Sequence, residues 1–283
     1  MDVTGYPLFI HVLEAVADSR HIRRVFIVGD KTRLEKALEK HPSLAAKKPV
    51  ICLNQWENLA ANIWNGFIST LDGYVEGLEK TRPEFFNRAI FILPGDSPLI
   101  TTGEIDEFFQ KADMERYDYV AGLTPKESLA KYLPTENTPG ITMTCFHVRD
   151  GLFRISNMHA ARPFAFVNRG AILKIYNVRY QKKLRNIIRL LRELWAVKPV
   201  RSKIWMYLAM EAAMALSLWG FKGLSDRVRR LVSTEMILDG VGQILGVRAG
   251  HVVTTHGGAA LDIDNDRDYD AILEMFERWR KLK

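Results

Sequence analysis

Short, nearly continuous apolar runs recur along the first half of the chain, separated by stretches with helical periodicity. Arg24–Asp30 reads RVFIVGD, Pro49–Leu53 reads PVICL, and Ala89–Asp96 reads AIFILPGD. Tyr117–Leu123 reads YDYVAGL, and Thr144–Val148 reads TCFHV. Runs of this length without polar alternation suit strands covered on both faces. Helical patterns lie between them, at Pro7–Ser19, Thr32–Lys40, Gln55–Leu71 and Gly103–Asp113. The alternation predicts an α/β fold: a three-layer, mostly parallel sheet covered by helices. In such sheets ligands bind beyond the carboxyl ends of the strands.

The pattern changes near residue 178. Val178–Trp195 is helical and basic on one side, and Ile204–Phe221 is nearly uncharged. Helical patterns continue at Ser225–Val232 and Thr234–Leu245. Strand character returns at His251–Thr255 and Ala260–Ile263, and Asp266–Leu282 reads as a final helix with Asp266 as its cap. The expected organisation is therefore an α/β core over 1–177, a helical insertion or subdomain over 178–247, and a return to the core over 248–283.

Composition narrows the function classes. With 283 residues, 47% of them hydrophobic, the chain can bury a core without covalent staples. Two cysteines, Cys52 and Cys145, exclude a disulfide scaffold and a cysteine-based metal centre. No secretory signal opens the sequence, so a reducing, cytoplasmic setting is expected. The net charge of +7 suits an anionic substrate, an acidic membrane surface or nucleic acid. No nucleic-acid module is recognisable, so nucleic acid is not an expected partner. Nucleophile arrangements of the Ser/His/Asp or Cys/His type find no support either.

Two acidic clusters sit where the chemistry belongs. Asp96 follows the apolar run AIFIL, and Asp262 and Asp264 leave a short apolar segment in LDIDNDRDY. Carboxylates without a competing Cys/His cluster nearby suit Mg²⁺ and a polyphosphate. An isolated strand-end Asp more often caps the next helix. Taken together, Gly95-Asp96-Ser97-Pro98-Leu99 and Leu261-Asp262-Ile263-Asp264-Asn265-Asp266-Arg267-Asp268-Tyr269 resemble two motifs of the MobA-like nucleotidyltransferases, relatives of the cytidylyltransferases with a GT-A-like, Rossmann-type fold. Val3-Thr4-Gly5-Tyr6-Pro7-Leu8 and RVFIVGD resemble earlier segments of that family. The resemblance implies that Asp96 binds Mg²⁺ and nucleotide phosphate and that Asp264 completes the metal site, with Asp262 a further candidate. It implies that Asn58, after Glu57, lies near the nucleotide, and that Asn157, after Ser156, lies on the acceptor side. Asn58 also reads as a helix cap and Asn157 as a turn residue. Arg179 and Lys182 reach an anionic acceptor or form a solvated face.

The reaction implied joins an NMP from an NTP to a phosphorylated acceptor and releases pyrophosphate. Two alternatives stand beside it: a GT-A glycosyltransferase using a nucleotide sugar, and a non-catalytic nucleotide- or acceptor-binding protein. One departure bears on the choice. The family begins with a strand and a glycine-rich loop that wraps the triphosphate, and this sequence shows neither. His256-Gly257-Gly258 reads as a turn, not as that loop. A misplaced start, a truncation or a loss of catalysis each accounts for the difference. The expectation is a weak or inactive transferase that still binds Mg²⁺ and an acceptor.

Residues 178–221 carry a last expectation. They read as buried helices of the subdomain or as a peripheral membrane contact for a lipid-linked acceptor. Eighteen residues containing Glu211 are short for a membrane span.

Overall fold

The computed structural model describes residues 1–171, 203–263 and 265–282. The apolar runs form β3 (Val25–Gly29), β4 (Val50–Asn54), β5 (Ile90–Ile92), β6 (Tyr119–Pro125) and β7 (Phe146–Val148). A hairpin of β1 (Asp2–Val3) and β2 (Tyr6–Pro7) precedes them, and β8 (Gly151–Ala161) and β9 (Ala249–Val253) follow. The helices between are α1 (Leu8–Asp18), α2 (Lys31–Leu38), α3 (Pro42–Lys47), α4 (Leu59–Ser69), α5 (Pro83–Phe86), α6 (Thr102–Lys111) and α7 (Lys126–Leu129). Beyond residue 203 come α8 (Ile204–Leu218), α9 (Lys222–Arg229), α10 (Thr234–Leu245) and α11 (Asp266–Lys281). Val178–Trp195 lies outside the described residues.

The fold is mixed α/β, and its larger sheet is mixed where a mostly parallel one was expected. Its order is β5-β8-β6-β9, with β7 also on β8. β6 and β9 are parallel, but β8 runs antiparallel to β5, β6 and β7. β8 escapes a reading based on apolar runs because Arg154, Ser156, Asn157 and His159 interrupt it. It also breaks its own alternation. Ala121 pairs His159, while Leu123 pairs Ile155, so β8 carries extra residues opposite Gly122. Such a bulge leaves residues without ladder partners and bends the strand locally. Asn157 sits in it with φ 55°, in the left-handed region. Gly122 is required there, because a Cβ would overlap Ser156 Oγ.

Two further expectations change. Ala260–Ile263 forms no strand. A 3-10 turn at Gly258–Ala260 leads into an extended segment outside the ladders. The cap of α11 is Asn265, whose Oδ1 accepts from the Asp268 amide at 3.0 Å, and Asp266 falls in the first turn.

β3 and β4 form a separate parallel pair. Two helices hold that pair beside the larger sheet. On one face, Ile10 and Leu13 of α1 share a core cluster with Val25 and Ile27, and Val12 and Val16 share another with Phe91 and Leu93. On the opposite face, Gly66 of α4 packs against Val28, and Phe67 clusters with Ile90. β3 and β5 thus lie under the same two helices, yet they belong to different sheets. Val25 donates to Pro49 O and Gly29 accepts from Gln55, so β3 uses its odd-numbered residues toward β4. Alternation turns the N–H and C=O of Phe26 and Val28 toward β5. Among the described residues no strand pairs with this edge, which stands between two helical layers with its apolar residues only half-buried.

Candidate functional site

The loop after β5 and the loop before α11 meet. The Ile263 amide donates to Asp96 O at 3.3 Å, which sets the two acidic motifs side by side. Leu99, Leu261 and Ile263 share a buried cluster with Val3 of the amino-terminal hairpin. Tyr269 adds a bond from its hydroxyl to Asp2 O at 2.6 Å. Segments distant in sequence are thereby fastened at one end of the sheet. The Asp96 loop closes on itself through Ile100 N–H to Ser97 O at 3.2 Å, and Ser97 is fully buried. Thr101 then caps α6 by accepting from the Glu104 amide.

Glu104 holds the arrangement from below. It is fully buried, and its carboxylate accepts from the amides of Gly257 at 3.1 Å and Ala259 at 2.9 Å. Burial pushes the carboxyl above the ordinary range, and the Ala259 and Gly257 amides oppose that rise without cancelling it. The grip presses the 257–259 turn against the Asp96 loop. A Cβ on Gly258 would overlap Leu99 O, so only glycine fits at this crossing. Glu107, one turn further along α6, receives Thr255 N–H at 2.9 Å and Lys111 Nζ at 2.6 Å, and faces His256 Nδ1 at 3.1 Å. Its partial burial would raise the pKa, but these bonds outweigh it and hold the carboxyl at about 2. α6 thus carries two carboxylates whose work is to shape the second acidic loop.

Asp96 Oδ1 is shut off from solvent within this junction. Asp262 is buried, and Arg154 Nη2 donates to its Oδ1 at 2.8 Å while Arg154 Nε holds Ala260 O, also at 2.8 Å. Arg154 therefore neutralises Asp262 and fixes the loop. Asn157, raised by the bulge in β8, reaches the same loop through Nδ2 to Ala259 O at 3.2 Å. Asn58 caps α4, accepting from the Ala61 amide at 3.0 Å. Of the residues expected from sequence, Asp96, Asp262 and Asn157 gather around the 259–263 segment. Asn58 stands on its own element, after β4. Asp264, Arg179 and Lys182 lie outside the described residues. Glu104 and Arg154 are additions that sequence reasoning missed.

The donor set suits a hard cation. Mg²⁺ is commonly held by one or two carboxylates plus substrate phosphates, not by an all-protein cage. No cluster of three or more His, Cys, Asp or Glu capable of holding a metal occurs among the described residues. Among the described residues of the junction, Asp96 and Asp262 carry oxygen donors alone. A depression of about 520 Å³ lies at the amino ends of β6 and β9. Asp118 there is paired with Arg248 at 2.8 Å.

Solved structures with this fold include a hypothetical transferase from Thermus thermophilus, with TM-score 0.59 and 21% identity over 94% of this chain and 87% of that one. They also include 4-diphosphocytidyl-2C-methyl-D-erythritol synthase from Anaerococcus prevotii, with TM-score 0.50 and 11% identity over 98% and 92% of the two chains. At such identities the likeness is one of fold. No protein-family model and no curated protein matches the sequence.

Proposed function

We propose that this chain is built for Mg²⁺-dependent nucleotidyl transfer of the MobA-like, GT-A-type kind. The observation that carries the reading is the contact of Ile263 N–H with Asp96 O, which brings the two acidic motifs to one junction. The phosphate of an anionic acceptor attacks the α-phosphorus of an NTP, a new P–O bond forms, and pyrophosphate leaves. Asp96 and Asp264 would hold Mg²⁺, which when bound neutralises the phosphate charge. Arg154 keeps Asp262 occupied, so Asp262 serves here as a positioning residue and Asp264 as the second ligand. Asn157 fixes the loop from the acceptor side. Asn58 orders the start of α4 near the nucleotide. Catalysis of this kind rests on alignment and charge compensation, without a covalent intermediate.

A second reading is favoured by the open edge between β3 and β5. The family's phosphate-wrapping loop follows a strand, and this edge is where such a strand would pair. The described residues would then bind metal and acceptor with little turnover. One assay separates the readings: pyrophosphate release from each of the four NTPs with Mg²⁺ and a sugar phosphate. Any release by the chain should drop by roughly 10²-fold or more in Asp96→Asn, the scale of losing a preorganised electrostatic contact. Release of NDP from a sugar nucleotide, without pyrophosphate from any NTP, would instead assign the site to glycosyl transfer.

A further inference from the structure

Helices α8 and α9 meet in a turn that faces solvent. Residues 218–224 (LWGFKGL) are all exposed, with Leu218 at 79%, Trp219 at 74% and Phe221 at 59%. Leu224 and Leu231 continue the apolar surface along α9 and just past it. Basic side chains are interspersed. Between 218 and 231 stand Lys222, Arg227, Arg229 and Arg230 against one acid, Asp226. Asp226 accepts from Arg229 Nε at 2.8 Å, while Lys222, Arg227 and Arg230 are exposed. The inner faces are spent elsewhere. Met206 of α8 clusters with Leu123, Val148 and Phe153 of the sheet, and Ser225 Oγ docks α9 onto Ala213 O at 2.7 Å.

A contiguous exposed apolar patch of this kind marks an interaction surface. Its composition selects the partner. Protein interfaces favour Arg but deplete lysine and net charge at their centres, whereas here Lys222 and a cluster of three Arg stand among the aromatic and aliphatic side chains with one acid. A bilayer surface accepts that mixture, because Trp and Phe settle at headgroup depth while Lys and Arg meet anionic lipid. No described helix is long and apolar enough to cross a membrane, so the contact is with one leaflet.

We propose that the turn between α8 and α9 docks this protein on anionic membrane surfaces, with Leu218, Trp219 and Phe221 entering the interface and Lys222, Arg227 and Arg230 contacting lipid phosphates and carboxylates. The inference is independent of the transferase reading. It moves the membrane contact from the whole of 178–221 to the 218–231 segment.

The test is sedimentation of the full chain with vesicles of phosphatidylcholine alone, or of phosphatidylcholine containing phosphatidylserine. Binding should be strong only with phosphatidylserine and should weaken with salt. Trp219→Ser/Phe221→Ser should bind roughly tenfold more weakly or worse. Lys222→Gln and Arg230→Gln should each weaken binding about fivefold. All these side chains are exposed, so circular dichroism should stay unchanged. Equal binding to both vesicle types, unaltered binding by the variants, or no vesicle binding would overturn the proposal. So would a dimer in sedimentation velocity that Trp219→Ser/Phe221→Ser abolishes, since the patch would then serve a second copy.

Discussion

Joining one apolar strand and a glycine-rich turn ahead of residue 1 should raise pyrophosphate release by two orders of magnitude or more. The reason lies in the open edge. α1 and α4 already cover both faces of the gap between β3 and β5, so an inserted strand would be buried at once and would suit a continuous apolar sequence. Phe26 and Val28 offer it ladder partners, and each buried group so paired escapes a penalty of about 1–3 kcal/mol. The turn after it would bring several backbone N–H groups toward a triphosphate at the Asp96 junction. Each preorganised donor of this sort is worth on the order of 10²–10³ in rate. The amino-terminal hairpin is well placed for the connection, because Val3 packs against Leu99, Leu261 and Ile263. The check is steady-state pyrophosphate release by the joined and original chains. Equal rates would mean that the edge does not accept a productive strand. Rapid turnover by the original chain would mean that other residues grip the triphosphate.

Glu104→Ala should lower unfolding free energy by about 2–5 kcal/mol in urea denaturation, because the buried amides of Gly257 and Ala259 both lose their acceptor. The loss wins over the relief of removing a desolvated carboxylate, since Gly257 and Ala259 are both buried. Glu104→Gln keeps one carbonyl oxygen and should lose about half as much. Both variants should also weaken divalent-metal binding, although Glu104 itself faces the turn and not the acidic junction. Wild-type stability in Glu104→Ala would show that the turn is held by its packing against Leu99 alone.

Much of this arrangement was legible in the chain, and the misses have definite causes. RVFIVGD, PVICL and AIFILPGD became β3, β4 and β5 because nothing polar interrupts them. β8 was hidden by the bulge at Asn157 and by the polar residues that the bulge turns toward the 259–263 loop. LDID resembled a strand end, yet its backbone pairs with Asp96 in place of a ladder. Glu104 was disguised by its position. A Thr followed three residues later by Glu reads as a capping box, and Thr101 does cap α6. The Glu side chain, however, reaches across to residues more than 150 positions away, a pairing that no local pattern contains. Arg154 was missed for the same reason, because its partner Asp262 is remote in sequence. The proximity of the acidic motifs was legible only through the family resemblance. Composition and periodicity place each at a strand end without saying that they touch.

The most direct test of that proximity is a double-mutant cycle on Mn²⁺ binding, read by electron paramagnetic resonance in the presence of an NTP. If Asp96 and Asp264 hold one ion, Asp96→Asn and Asp264→Asn should each weaken binding roughly tenfold or more, and the double variant should be little worse than either alone, as coupled ligands require. Losses that simply add, or a single variant that binds Mn²⁺ as the original chain does, would contradict a shared metal site at the junction of the two loops.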